Sequence, residues 1–254
     1  MPSIGSAREL VPADPATWWT VGWEKQPHKR RTAVIRLSDR VEFDPRPAVA
    51  LDGVTEESDW VVSRHGTITA ADVKVGGRTA FTAVSVYSLW ERTAYNIFAD
   101  GSAHRILSDL SALMPSPNHR LLVAGDWNIL FGYGEHGDSY WKDRYRTVFD
   151  RADALGLTFV GPQHPNGRQA EPWPDELPVD SRCVPTFHHS KQTPATATRQ
   201  LDFVFVSHSL ADAVVAVRSM NKLDEWGRAT TVVSSSKSTP VADTRFPNHV
   251  FEEA

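Results

Sequence analysis

The chain has one cysteine in 254 residues, Cys183, and a single thiol excludes an internal disulfide framework. It reads as a small hydrophobe and fits a reducing compartment. No apolar run approaches the ~20 residues that a bilayer-spanning helix needs. The opening stretch, MPSIGSARELVPADPATWWT, has neither a basic start nor an apolar segment. It does not read as a secretory signal, so a cytoplasmic setting is the expectation. Positive charge is not in excess either: 27 Lys and Arg stand against 31 Asp and Glu, for a net charge of −4. That excludes a global basic field for nucleic acid and leaves room only for a local basic groove. Internal repeats are missing, and no low-complexity linker precedes the last stretch of the chain.

What is present is ordinary for a globular protein, at 41% hydrophobic and 23% charged residues. The length suits one large α/β domain or two small ones. Nine tryptophans exceed what a core of this size needs, and some are expected to line a cleft or its rim. Strand patterns fall at Thr32–Leu37, at Ala71–Val75 before the turn Gly76-Gly77, and at Phe81–Leu89. Ile106, Leu107, Leu110, Leu113 and Met114 recur at helical spacing, which predicts a helix from an N-cap at Ser102 to a stop at Pro115. Strand, helix and the following apolar run Leu121–Gly125 form the pattern of an α/β crossover. A second helix is predicted from Trp141 to Leu155, closed by Gly156. Strands follow at Leu157–Val160, Leu201–Val206 and Val214–Val217, and residues 161–198 read as a long loop.

The chain is organised around Leu121–Leu130, LLVAGDWNIL. A buried strand that ends in Asp126, Trp127 and Asn128 holds a carboxylate and a carboxamide two residues apart. Both can enter one cleft while Trp127 faces the other way. The bland alternative is a core strand that stops at a turn, since Asp, Asn and Gly are turn formers. Two more strand-borne polar residues weigh against it. Tyr87 closes the apolar run FTAVSVY, and a buried hydroxyl there needs a partner. Asp202 is placed second in LDFVFV, where a buried carboxylate is costly unless it meets a cation, a histidine or a hydrogen-bond donor.

Three blocks, VSVY at Val84–Tyr87, LLVAGDWN at Leu121–Asn128 and RQLDFVFVS at Arg199–Ser207, with TFHH at Thr186–His189 just upstream of the third, resemble signature blocks of the endonuclease/exonuclease/phosphatase superfamily. The resemblance runs from about residue 32 to residue 227. It implies an α/β fold, a four-layer sandwich of two mixed β-sheets packed face to face with helices outside, here incomplete at both ends. It also implies phosphoester hydrolysis with Mg²⁺ as cofactor. The substrate could be nucleic acid, an inositol phosphate or a lipid head group. By that resemblance Asp126 would orient and deprotonate the attacking water, Asn128 and Tyr87 would hold phosphate oxygens, and Asp202 would orient a catalytic histidine.

The chain departs from the pattern at both ends. The early Trp-Asn strand and the metal-binding glutamate have no clear counterpart, since Glu9 and Glu24 sit outside apolar strands. The metal ligands are therefore unassigned. The Ser-Asp-His block that should follow Trp226-Gly227 is replaced by a polar, serine-rich segment. Residues 1–227 are read as one domain, and 228–254 as a divergent tail, disordered or produced by a frameshift. A rival placement gives the Asp-His role to Asn248-His249. The adjacent pair His188-His189 would face opposite ways on a strand, which suits the lining of a cleft or plain exposure better than metal binding. Two readings stay open: a metal-dependent phosphoester hydrolase, or an inactive relative that at most binds phosphate-containing ligands.

Overall fold

Runs of β-branched and small apolar residues build the centre of the molecule. The computed structural model describes residues 18–19, 32–36, 40–92, 97–189, 191–223 and 231–235. A short antiparallel ribbon pairs β1 (Trp18–Trp19) with β2 (Val34–Ile35). Strand β3 (Glu42–Arg46) follows, then the parallel pair β4 (Ala48–Ala50) and β5 (Trp60–Val62), and the long hairpin of β6 (Ile68–Val75) and β7 (Arg78–Tyr87). A ribbon of β8 (Glu91–Arg92) and β9 (Ile97–Phe98) leads into helix α1 (Ala99–Leu110). Then come β10 (Leu121–Asp126), helix α2 (Ser139–Ala154), β11 (Leu157–Gly161), β12 (Asp202–Ser207) and the one-turn α3 (His208–Ala211). An antiparallel pair, β13 (Val214–Ser219) and β14 (Thr231–Ser235), ends the described chain.

Six strands form one mixed sheet in the order β11-β12-β10-β7-β6-β3. Strands β7 and β10 are parallel neighbours joined through α1, which is the predicted crossover. Alternation along the central strands divides their side chains between two cores. Val84, Val86, Val123, Phe203 and Phe205 pack under α1 and α2 with Ile106, Leu107, Leu110 and Val148. Phe81, Ala83, Leu122, Ala124, Val204 and Val206 face the other way. They meet Val41, Leu210, Val217 and the partly buried Val34 and Val214, so β2 and β13 cover the face where the expected second sheet belongs. Burial on both faces is why these strands read as continuous apolar runs. The expected mixed α/β class with helices outside is the one that forms.

Several boundaries differ from the sequence reading. Helix α1 starts at Ala99, and Ser102 lies inside it; its Oγ accepts from the Leu89 amide at 2.9 Å rather than capping. Helix α2 starts two residues earlier than expected, where the Asp138 side chain accepts from Tyr140 N and caps it. Strand β3 was not legible because EFDPR is polar and carries Pro45, which suits an edge strand. Thr231–Ser235, inside the segment expected to be a tail, forms β14. Glu9, Glu24 and Asn248-His249 lie outside the described residues. Among the described residues no helix is long and apolar enough to cross a membrane.

One glycine fixes how closely β10 approaches β7. Gly125 has φ +150°, and a Cβ there would lie 2.0 Å from the Val86 carbonyl oxygen. Gly125→Ala is expected to lower stability by about 3 kcal/mol or more, because both backbone strain and a backbone clash oppose it. In contrast, Gly101→Ala in α1 adds a Cβ that meets only Glu91, at 3.9 Å. It should raise stability by about 0.5–1 kcal/mol through helix propensity. Urea unfolding of both variants checks the pair; equal effects would contradict the assigned backbone roles.

Candidate functional site

The parallel register pairs Asp126 with Tyr87, and the antiparallel register pairs Asp126 with Asp202. The three predicted strand residues therefore stand side by side at one level of three adjacent strands. Paired positions share a face, with Cβ atoms about 4.5–5.5 Å apart. Parity puts that face opposite the helices, since Phe203 and Phe205 of β12 and Val84 and Val86 of β7 point the other way. Trp127 turns to the helix side, as expected, and meets Phe205 edge-on at 5.0 Å. The strand ends are tied together by the chain itself. Ser88 N donates to Asp126 O at 2.7 Å, Tyr87 N to Thr67 O at 2.9 Å and Trp127 N to Leu201 O at 2.9 Å.

Asn128 completes the group through local geometry. Its backbone lies at φ 51°, a left-handed conformation that asparagine tolerates better than most residues. Its amide N donates to Asp126 Oδ1 at 2.9 Å, closing an Asx turn. Its side-chain Nδ2 donates to Ser88 O at 2.6 Å and to Asp126 Oδ2 at 3.2 Å. Both oxygens of Asp126 are thus held by the same neighbour. Asn128 Oδ1 is buried and has no hydrogen-bond partner among the described residues. An unsatisfied buried acceptor costs about 1–3 kcal/mol, so it stands out.

Within this group, Asp202 is a residue whose titration the surroundings shift. Burial pushes its carboxyl up to about 6, against a lowering hydrogen bond with the Thr186 side chain. Thr186 Oγ1 also accepts from Leu201 N at 3.0 Å and Asp202 N at 3.1 Å, so it fixes the backbone as well as the carboxyl. Among the described residues no histidine is hydrogen-bonded to Asp202. Thr186, in the TFHH block, and Ser88, next to Tyr87, are the residues whose part was not legible. Their partners are Asp202 and Asn128, and no local spacing connects them.

Tyr87, Asp126 and Asn128 are 1%, 4% and 4% exposed, so the centre of the group is covered. A cavity of about 280 Å³ lies elsewhere, at the start of β7 and β10 beside Thr82, His119 and Leu121. That end is held by a buried polar latch. Ser207 Oγ accepts from Leu121 N at 2.6 Å and contacts His119 Nδ1 at 2.6 Å, while His119 Nε2 reaches Leu155 O at 3.0 Å. Among the described residues no three His, Cys, Asp or Glu side chains converge on a metal position. Mg²⁺ takes one or two carboxylates and completes its shell with water and substrate phosphate, so among the described residues Asp126 and Asp202 are the pair that would hold it.

A mixed sheet with helices on one face and carboxylates at the ends of adjacent strands on the other defines a mixed α/β protein. No family model matches the sequence, and no curated protein does. Solved structures do. The chain is similar to the endonuclease domain of the telomere-specific non-LTR retrotransposon TRAS1, at 14% identity and TM-score 0.43 over 76% of each chain. It is similar to the 3′ phosphatase NExo from Neisseria, solved with a product DNA hairpin, at 18% identity and TM-score 0.44 over 84% of this chain and 71% of that one. It is also similar to the human Nocturnin catalytic domain, at 15% identity and TM-score 0.40; there it covers 86% of this chain and spans 60% of the other.

The raised Asp202 carboxyl carries a pH signature. Between about pH 4 and pH 6 the folded protein keeps a proton that the unfolded chain has released, so stability falls as pH rises through that window. Asp202→Asn removes the charge and keeps the shape. It is expected to flatten the stability curve and to be more stable than the parent at pH 7, by on the order of 1–3 kcal/mol. Thermal melts of both proteins from pH 4 to 8 check this, and parallel curves would rule out a raised Asp202.

Proposed function

We propose that the Tyr87–Asp126–Asn128–Asp202 group is a phosphoester-hydrolysing site. The reading rests on one observation: three polar residues far apart in sequence share one level and one face of adjacent strands, with Asn128 locked to the central carboxylate. A phosphoester resists water because it is anionic and its leaving group is poor. A catalyst must deprotonate water, steady the phosphoryl oxygens and protonate the leaving oxygen.

In this scheme Asp126 takes the proton from the attacking water, oriented by its two hydrogen bonds from Asn128. The Tyr87 hydroxyl donates to a phosphoryl oxygen. Asp202, whose proton is held up to about 6, gives it to the leaving oxygen. Two carboxylates in unlike surroundings thus take opposite roles. The water loses a proton to Asp126, the oxygen attached to carbon gains one from Asp202, and one P–O bond forms as another breaks. The role that the resemblance gives Asp202, orienting a histidine, is replaced here by direct proton donation. The phosphate-holding role that it gives Asn128 requires an N–H now donated to Ser88 or Asp126 to be released when substrate binds.

The resemblance also implies Mg²⁺ and a nucleic-acid or other phosphoester substrate. No step above runs through the metal. The second reading, an inactive relative that only binds phosphate-containing ligands, draws on the burial of Tyr87, Asp126 and Asn128, which a substrate reaches only if the covering residues move. Purified full-length chain, incubated with a chromogenic phosphodiester with and without Mg²⁺, separates the two. Hydrolysis is expected, with Asp126→Ala losing about 10²-fold or more. Asp202→Asn should remove the fall in rate above pH 6. No turnover above Asp126→Ala in either buffer would leave the binding-only relative.

A further inference from the structure

Strand β7 begins at Arg78, but its neighbour β10 joins it only at Thr82, the partner of Leu121. Residues 79–81 therefore present a backbone edge that β10 does not reach. The Arg120 side chain stands in for the missing strand: its Nε donates to Ala80 O at 2.6 Å, while Arg120 O accepts from Thr82 N at 2.8 Å. A guanidinium is planar, so anchoring Nε also holds the two Nη groups in place. Among the described residues those Nη groups have no partner, and Arg120 makes no ion pair. The neighbouring charges are matched. Lys74 meets Asp44, and Arg46 forks onto Asp72 through Nε and Nη2, each at 2.8 Å, while Thr82 Oγ1 donates to Asp72 at 2.6 Å.

Arg46 and Arg120 both line the cavity of about 280 Å³ at this end of the sheet. The chain leaving α1 tightens into a turn at Ser111–Leu113 and then meets Pro115, so Ala112, Leu113 and Pro115 supply an apolar wall. His119, also on the wall, has both ring nitrogens engaged, with Ser207 and Leu155. Of the two guanidinium charges, Asp72 cancels one and the other remains. At roughly 30 Å³ for each water-sized group, the space holds about nine of them. A carboxylate carries one charge and presents two oxygens to a guanidinium fork, whereas a phosphate dianion would bring a second charge close to Asp72. Five residues of β7 and β10, about 17 Å, separate this end from Tyr87 and Asp126.

We infer that this cavity is a second binding site, for a small monocarboxylate with an apolar body. The carboxylate takes the Nη groups of Arg120, with Arg46 beside it, and the apolar part covers Ala112, Leu113 and Pro115. Because Ala80 already holds Arg120, little side-chain ordering is left to pay on binding. The site shares no residue with the Tyr87–Asp126–Asn128–Asp202 group and does not depend on the chemistry proposed there.

Titration of the whole chain with hexanoate, followed by amide NMR, tests it. Saturable binding is expected, with the shifts centred on Thr82, Arg120 and Leu121. Arg120→Gln, which keeps much of the stem and removes the charge, should weaken hexanoate about 10-fold or more. Arg120→Lys should recover only part of that loss, because a point charge cannot fork. Ala112→Phe, at an exposed position on the wall, should fill the space and abolish binding. Acetate, 1-hexanol and inorganic phosphate are each expected to bind about 10-fold more weakly than hexanoate, lacking the apolar body, the charge or both the planar fork and the apolar body. A diazirine-bearing hexanoate, photolysed on the unmodified chain and mapped by mass spectrometry, needs no variant, and adducts are expected within residues 112–115. No saturable binding, full affinity in Arg120→Gln or Ala112→Phe, 1-hexanol or phosphate binding as well as hexanoate, or adducts only elsewhere would each overturn the site.

Discussion

The contact between Gly125 and the Val86 carbonyl sets the level of the whole candidate site. A side chain at that position would collide with the backbone of β7, so only glycine lets β10 approach as it does. From that approach follows the register that lines up Asp126 with Tyr87, and through β12 with Asp202. A slip of one residue would turn Asp126 into the helix-side core and bring Trp127 out. The two cores oppose such a slip, because each buries a full alternating set of Val, Ala, Leu and Phe.

Around that register the polar groups are satisfied in a strict order. Asn128 takes both oxygens of Asp126 and the carbonyl of Ser88. Thr186 takes Asp202, and Ser88 ties the end of β7 to α1 through its hydroxyl on Ala99 O at 3.2 Å. Among the described residues Asn128 Oδ1 is left without a hydrogen-bond partner. The ribbon of β8 and β9 that follows is anchored by Glu91 on Arg105 and by Phe98 under the Arg144 guanidinium.

Much of the fold was legible because it is written locally. Helix spacing in Ile106, Leu107 and Leu110 and alternation in the central strands report which side chains are buried, and burial on both faces explains the uninterrupted runs. Polar edge elements were not legible. Strand β3, EFDPR, is held by pairing with β6 and by the Arg46–Asp72 ion pair at 2.8 Å, and neither leaves a pattern in five residues. Ser102 looked like a helix cap because serine usually caps. Here the preceding residues are recruited into α1, and the hydroxyl goes to Leu89 instead.

The sequence by itself determined the strands, the crossover and the Asp126-Asn128 pair, because an Asx turn spans only two residues and a strand's alternation needs no partner to be read. Only the tertiary structure decided that Tyr87, Asp126 and Asp202 stand together and that Thr186 holds Asp202. Those relations depend on interstrand register between residues tens of positions apart. Register is fixed by the packing of two cores and by one close backbone approach, so it is a property of the folded sheet and not of any segment within it.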